Sequence, residues 1–128
     1  LKHARRLSEQ RPSNMSPLNC CVQVNLSGES SKAGLMPEAL HAFLDAAAEL
    51  PGIRLRGLMT LPAPAEGLEA QRQPFAGLRA LRDCLRTDAL PLKTLSMGMS
   101  ADLEAAIAEG ATIVRIGTAL FGARHHRL

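Results

Sequence analysis

Aromatic side chains are scarce in this chain, which has no Trp, no Tyr and only three Phe among 128 residues. Sites for single-stranded nucleic acid usually stack bases on such side chains. The net charge of +3 is modest, and the arginines are scattered through helical segments, where a solvated helix face accounts for them. Nucleic acid binding is therefore not expected.

Long apolar runs are also missing from the sequence. No run approaches the roughly 20 residues that cross a bilayer, and the start of the chain lacks the apolar stretch of a secretory signal. We therefore expect a soluble, cytoplasmic protein.

Cysteines and histidines give no sign of a metal site or a disulfide framework. Cys20, Cys21 and Cys84 have neither the spacing of metal ligands nor that of a disulfide scaffold. We expect them to be buried, reduced thiols. His125 and His126 are neighbours near the end of the chain, and we expect surface residues there, with no metal bound.

Strand-like and helix-like patterns alternate along the chain. Apolar and β-branched runs predict strands over 18–26, 53–60, 94–99 and 112–116. Apolar residues at helical spacing predict helices over 1–10, 37–50, about 68–85 and 101–109. Pro74 should kink the third helix or delay its start, and Ser100 and Gly110 should cap the last one.

This alternation predicts an α/β fold with a parallel sheet, because right-handed crossovers through helices connect parallel strands. A complete (β/α)8 barrel, or TIM barrel, needs eight strands and about 250 residues. Four strands behind an orphan helix therefore indicate the second half of such a barrel, as one domain over residues 1–128. The absence of an initiator Met agrees with a part of something larger.

Two loops carry groups that could bind an anion. In barrels, the loops after the last two strands commonly hold a phosphate. Gly98-Met99-Ser100 leads into a helix whose first N–H groups would face an anion, and Ser100 adds a hydroxyl. After the fourth strand, Gly117 permits close backbone approach and Thr118 offers a hydroxyl and an N–H. Singly these could be a plain N-cap and a turn glycine, but together they favour an anion site.

Arg115 interrupts a run that otherwise has the pattern of a strand buried on both faces. A buried guanidinium needs partners. It could pair with a helix carboxylate such as Asp102 or Glu109, or it could point into the barrel mouth at a ligand acceptor. Its position alone leaves both open.

At these residues the sequence resembles a known family. LSMGMSADLEAAI at 95–107, followed by VRIGTALFG at 114–122, resembles the end of the pyridoxal phosphate homeostasis proteins. RGLM at 56–59 and SKAG at 31–34 match earlier blocks of that family in the expected order. The resemblance covers nearly the whole chain. It implies an alanine racemase-like barrel that binds pyridoxal 5′-phosphate (PLP) at the strand ends.

The resemblance also implies roles for single residues. It assigns Ser100, Gly117 and Thr118 to the cofactor phosphate, and it places Arg115 beside the pyridine nitrogen. A cation there opposes protonation of the ring nitrogen and so weakens the cofactor as an electron sink. The implied function is PLP binding and delivery in vitamin B6 homeostasis, without an established turnover reaction.

Three further residues are weaker candidates. Met59 and Ser96 would line the cofactor pocket, although a Met at a strand end can also be simple packing. Lys32 could contact the aldehyde or the phosphate, or it could be a solvated loop lysine.

One feature of the family has no counterpart here. The Schiff-base lysine of the family lies at the end of its first strand, in the N-terminal half, and no residue of this chain occupies that place. We therefore expect this chain alone to bind PLP weakly or not at all, through the phosphate cup only. An opened barrel also has unpaired strand edges, which favours self-association or pairing with the missing N-terminal half.

Other functions stay open at this point. A racemase-like PLP enzyme would need a second base, typically a Tyr, which this chain lacks. A barrel half that binds another phosphate ligand without PLP, or a structural remnant that acts as an interaction module, would show the same strand and helix pattern.

Overall fold

A computed structural model describes residues 1–27 and 33–117 of the chain. The predictions for Lys32, Thr118, His125 and His126 fall outside these residues. The helices are α1 (Lys2–Gln10), α2 (Leu40–Ala47), α3 (Leu68–Leu85) and α4 (Leu103–Ala108), with a short 3-10 turn at Pro37–Ala39. The strands are β1 (Leu18–Gln23), β2 (Ile53–Met59) and β3 (Thr94–Ser96).

The three strands form one parallel sheet in the order β1-β2-β3. Helices separate the strands along the chain, as the alternating pattern predicts. The α/β class and the parallel sheet are therefore confirmed. None of the helices in the described part of the chain is long and apolar enough to cross a membrane.

A β-bulge in β2 determines which side chains share a face of the sheet. Cys20 of β1 pairs with Leu55, but the next residue, Cys21, pairs with Gly57, so Arg56 is an extra residue. The bulge lets the buried positions continue on one face, although their spacing in β2 changes from two residues to three.

One face of the sheet is buried against the helices. Val22, Leu58 and Leu95 are paired neighbours on the three strands, and we call them the core row. All three belong to the core cluster, together with Phe75 and Leu78 from α3. Leu58, Leu95 and both α3 side chains are completely buried. The hydrophobic effect thus holds α3 on this face.

The fourth predicted strand, 112–116, is not a strand in the structure. Ile113 forms only an isolated parallel bridge with Ser96. The amides of Thr112 and Ile113 both donate to the carbonyl of Leu95, at 2.9 and 3.2 Å. Because two donors share one acceptor, the regular ladder of a parallel pair is broken at its first step. The segment still runs beside β3, where the prediction placed it.

The corner after β3 differs from the prediction in two ways. The strand ends at Ser96 instead of residue 99, and Gly98 has a φ of 104°, which an extended strand does not contain. The residue at the N-cap of α4 is Asp102, so the prediction that Ser100 caps this helix is wrong. Gly110 follows the helix with a φ of 94°, as expected for a glycine just past a helix end.

Two helices also differ from their predicted form. The segment 37–50 is a 3-10 turn followed by the shorter α2, which ends at Ala47. Pro74 lies inside α3, so it does not delay the start of that helix, which begins at Leu68. A proline in the second turn loses only one backbone hydrogen bond, and the burial of Phe75 directly after it offsets that loss.

The cysteines are more accessible than predicted. Cys84 is exposed on α3, and Cys20 and Cys21 are half-buried, so the expectation of three buried thiols is wrong. The apolar side chains of α3 that face the core, Phe75 and Leu78, lie on the opposite side of that helix from Cys84. Burial raises the pKa of the Cys20 and Cys21 thiols. These two cysteines are therefore less reactive at neutral pH.

The backbone contact at Gly57 gives a stability prediction. A Cβ at this position would overlap the carbonyl oxygen of Thr94, whereas a Cβ at Gly77 in α3 would meet nothing within 4 Å. Gly57→Ala should lower the free energy of unfolding by at least about 3 kcal/mol, because β2 and β3 must separate. Gly77→Ala should raise it by about 0.5–1 kcal/mol. Urea unfolding of both variants checks this, and equal effects would contradict it.

Candidate functional site

The carboxyl ends of the three strands lie side by side, as parallel pairing requires. Gln23 pairs with Met59, and Met59 pairs with Ser96. Each follows a member of the core row, so these three side chains lie on the opposite face of the sheet, and we call them the mouth row. All three are half-buried. The structure thus brings Met59 and Ser96 together, and it adds Gln23, which the sequence analysis missed.

Arg115 lies at this end of the sheet. Its guanidinium Nη2 donates to the carbonyl oxygen of Thr60, the residue after Met59, at 3.4 Å. Its backbone N–H donates to the carbonyl of Gly98 at 2.9 Å. The guanidinium Nε is buried and has no hydrogen-bond partner. The cation therefore lies beside the mouth row, and one of its donors has no acceptor among residues 1–27 and 33–117.

The ion pair proposed between Arg115 and Glu109 does not form. Glu109 is buried, and its Oε1 accepts from Arg72 Nε at 3.1 Å and Nη2 at 3.0 Å. Its Oε2 lies 3.2 Å from Arg79 Nη2. This carboxylate is held between two arginines of α3, so it joins the end of α4 to that helix.

Asp102 does not pair with Arg115 either. Its Oδ1 accepts a hydrogen bond from the backbone N–H of Met99 at 2.7 Å. The ion pairs within residues 1–27 and 33–117 do not include Arg115. Of the two alternatives that the sequence left open, the helix carboxylate is therefore wrong, and the guanidinium lies at the strand ends.

The corner after β3 is packed tightly. Gly98 is buried, and a Cβ there would lie 2.5 Å from the Cβ of Ala106, so α4 packs directly on this glycine. Ser100 is half-buried in the same corner. The amide of Met99 is already bound to Asp102, so it is not among the donors that the corner offers to a ligand. Because α4 begins three residues after Ser100, its dipole stabilises an anion at Ser100 less than the sequence suggested.

Gly117 is exposed, and a Cβ at this position would meet no atom of the described residues within 4 Å. Close packing within the described protein therefore does not explain this glycine. The bond from Arg115 N to Gly98 O ties the segment before Gly117 to the corner that contains Ser100. The two loops predicted to form an anion site are thus neighbours in the fold. Thr118 and Lys32, the other candidates, lie outside the described residues.

A small cavity of about 270 Å³ opens at the carboxyl ends of β1 and β2. Gln23 and the two buried polar residues Asn25 and Thr60 line it, together with the Pro-rich segment 61–65. Asn25 Oδ1 accepts from the backbone N–H and the hydroxyl of Ser27, at 3.1 and 2.8 Å. The sequence analysis missed Asn25 and Thr60. Their signal was available, because each is a polar residue at or near the end of a predicted strand.

A larger groove of about 900 Å³ lies near the amino ends of the strands. Arg54, Arg56 and Lys93 line it, and Arg56 Nε donates to Asn19 Oδ1 at 2.9 Å. In barrels this end contributes to stability, whereas ligands meet the carboxyl ends. The smaller cavity is therefore the better candidate for a ligand site. Within the described ranges, no cluster of His, Cys, Asp or Glu could hold a metal ion.

A family model described as "Alanine racemase, N-terminal domain" matches residues 1–125. The chain belongs to this family. The α/β content of the structure agrees with this membership, and the resemblance noted in the sequence is confirmed.

Two curated relatives of this chain are called pyridoxal phosphate homeostasis protein. The protein from Pseudomonas aeruginosa is 60% identical over 126 residues, which cover 98% of this chain and 54% of the relative. The protein from Escherichia coli K12 is 47% identical over 126 residues, with the same coverage of 98% and 54%. The chain therefore spans about half the length of these relatives.

Solved structures of PipY from Synechococcus elongatus are also similar to this family member. The form without PLP matches with a TM-score of 0.82 and 38% identity, over 93% of this chain and 56% of PipY. The form with PLP bound matches with a TM-score of 0.80 and 35% identity, over the same shares of 93% and 56%. The fold of the described residues is therefore that of PipY over the matched part.

The bond between Met99 and Asp102 gives a prediction about the corner. Asp102→Ala removes the acceptor of the Met99 amide, so hydrogen exchange at this amide should become about five- to tenfold faster, as expected for the loss of one hydrogen bond. Asp102→Asn keeps an acceptor oxygen and should change the rate by less than about twofold. Exchange followed by NMR checks this. Equal rates in the two variants would show that the side chain does not hold the corner.

Proposed function

We propose that this chain provides the phosphate-binding end of a PLP-binding barrel that acts in PLP homeostasis, without a turnover reaction of its own. The observation that carries the proposal is the position of Arg115 at the carboxyl end of β2, beside the mouth row. Relatives at 47% and 60% identity are called pyridoxal phosphate homeostasis proteins, and a PipY structure holds PLP.

The described residues fit the cofactor. The buried Nε of Arg115 has no partner in the part of the chain that the structure describes, and a ring nitrogen is an acceptor that would satisfy it. Met59 directly precedes Thr60, whose carbonyl accepts from the guanidinium, and Ser96 pairs with Met59. Both side chains are half-buried.

The phosphate is assigned to the two neighbouring loops. Ser100 would donate its hydroxyl, and Gly117 and Thr118 would offer backbone and hydroxyl donors. The bond between Arg115 N and Gly98 O supports this assignment, because it holds the two loops beside each other. Lys32 is a further candidate contact to the aldehyde or the phosphate.

When bound, PLP supplies an aldehyde on an electron-withdrawing ring. Arg115 would keep the ring nitrogen unprotonated, because a nearby cation disfavours a second positive charge. An unprotonated ring withdraws electrons less strongly, which suits storage and delivery of the cofactor better than catalysis. This is the physical reason for proposing a carrier over a racemase-like enzyme.

Two consequences follow for this chain alone. We propose that this chain has no counterpart of the lysine that the resemblance implies for the family, and that it binds PLP reversibly and weakly. Among the described residues, the strand partner of β1 is β2, so most backbone groups on its other edge lack a strand partner. We propose that this edge pairs with the remaining half of a barrel or with a second copy of the chain.

The assigned roles predict how substitutions change affinity. Arg115→Ala should weaken PLP binding by about tenfold and inorganic phosphate binding by less than about twofold, because it removes a charged partner of the ring. Ser100→Ala and Thr118→Ala should weaken both ligands by about three- to tenfold, because each removes one phosphate donor. NMR titrations with PLP and with phosphate, up to millimolar concentrations, check this.

Thr87→Val is a matched control, because this exposed hydroxyl contacts the amide of Leu90 in a loop before β3. It should leave both affinities unchanged. Loss of phosphate binding in Arg115→Ala, with no change in Ser100→Ala and Thr118→Ala, would contradict the roles. Equal affinity of the unmodified chain for PLP and phosphate would indicate a phosphate-ligand site without a PLP function. A covalent adduct that borohydride reduces would contradict reversible binding.

A further inference from the structure

Thr60 contacts three segments of the chain at the carboxyl ends of the strands. The residue follows the last position of β2 and is 2% exposed. Its backbone N–H donates to Ser96 O of β3 at 3.2 Å, and its hydroxyl donates to Val24 O, just after β1, at 3.0 Å. Its carbonyl accepts from Arg115 Nη2 at 3.4 Å. Each polar group of Thr60 therefore binds a different segment.

We propose that Thr60 is a positioning residue that sets the direction of the Arg115 guanidinium at the mouth. The consequence for the cofactor rests on the proposed function, but the positioning itself does not. The sequence pattern around Thr60 does not predict this role. The structure assigns it through the three bonds.

The hydroxyl of Thr60 helps to fix the position of this residue, whose carbonyl accepts from Arg115. The N–H of Thr60 is bound to Ser96 of β3, and its hydroxyl is bound to Val24, just after β1. Thr60 is therefore held by the segments on both sides of β2. Val24 is itself held, because its N–H donates to Met59 O at 2.8 Å. The position and the side-chain rotamer of Thr60 are therefore fixed, and its carbonyl is placed where Arg115 donates to it.

A side chain of the same shape without a hydroxyl would not have this effect. Val at position 60 would fill the same space but would leave Val24 O without its buried donor, which is unfavourable. Within the described ranges, Thr60 O is the acceptor that orients the guanidinium, since Nε has none. Loosening Thr60 would therefore loosen Arg115 and leave the phosphate loops in place.

The test measures the Arg115 Nε–H signal by NMR in the chain without ligand. In the unmodified chain this buried proton should exchange with water more slowly than that of Arg54, which is exposed. Thr60→Val should accelerate its exchange by about three- to tenfold, the factor expected for one hydrogen bond. Thr60→Ser retains the hydroxyl and should preserve the slow rate, whereas Thr87→Val should change nothing. Backbone spectra confirm that each variant is folded.

The outcomes separate this inference from the proposed function. Exchange at Arg115 as fast as at Arg54, or unchanged in Thr60→Val, would overturn the positioning role whatever PLP does. If Thr60→Val does not fold, Thr60→Cys replaces it, because a thiol is a weaker donor. If exchange responds as expected but millimolar PLP does not shift the Arg115 signal, the positioning role stands and the proposed contact between Arg115 and PLP fails.

Discussion

Parallel pairing of three short strands is the constraint on which the candidate site depends. Because β1, β2 and β3 run in the same direction, their carboxyl ends meet at one edge, and the residues that follow them become neighbours. Val24, Thr60 and Met97 come from distant parts of the sequence, yet they occupy equivalent positions at that edge. The site is thus a property of the sheet more than of any one loop.

The helix layer fixes what the sheet alone leaves free. α4 packs on Gly98, where no side chain fits, and this brings the segment that carries Arg115 against the end of β3. Glu109 then ties α4 to α3 through two arginines. Removing one partner of such a buried charged group is costly, because the other charge stays in the interior. The ion pairs of Glu109 with Arg72 and Arg79 therefore stabilise the helix layer that packs against the site.

The alternating pattern of the sequence was enough to predict the class, the parallel sheet and three of the strands, because burial of one face imposes that pattern. The pattern wrongly predicted a fourth strand at 112–116. β-branched residues favour a strand there, but pairing with β3 is interrupted after a single bridge. Asp102 was missed as the N-cap residue because Ser100 also fits, and the residue types alone do not decide between them.

The site was predictable in part for a similar reason. Arg115 was identifiable because a charge in an apolar run is unusual, but its direction depends on which carboxylates other arginines already occupy. Thr60 and Asn25 carried only a weak signal, since polar residues at strand ends are common. Their importance comes from contacts between segments far apart in the chain, which a pattern along one segment does not contain.

The bulge in β2 has a consequence for how this strand can change in length during evolution. Without Arg56 the strand would alternate regularly, and Leu55 and Leu58 would still face the helices. A deletion at this point is therefore compatible with the fold. A second inserted residue would also keep the two faces, because side chains alternate with a period of two. Only the odd number of extra residues present here therefore needs a bulge.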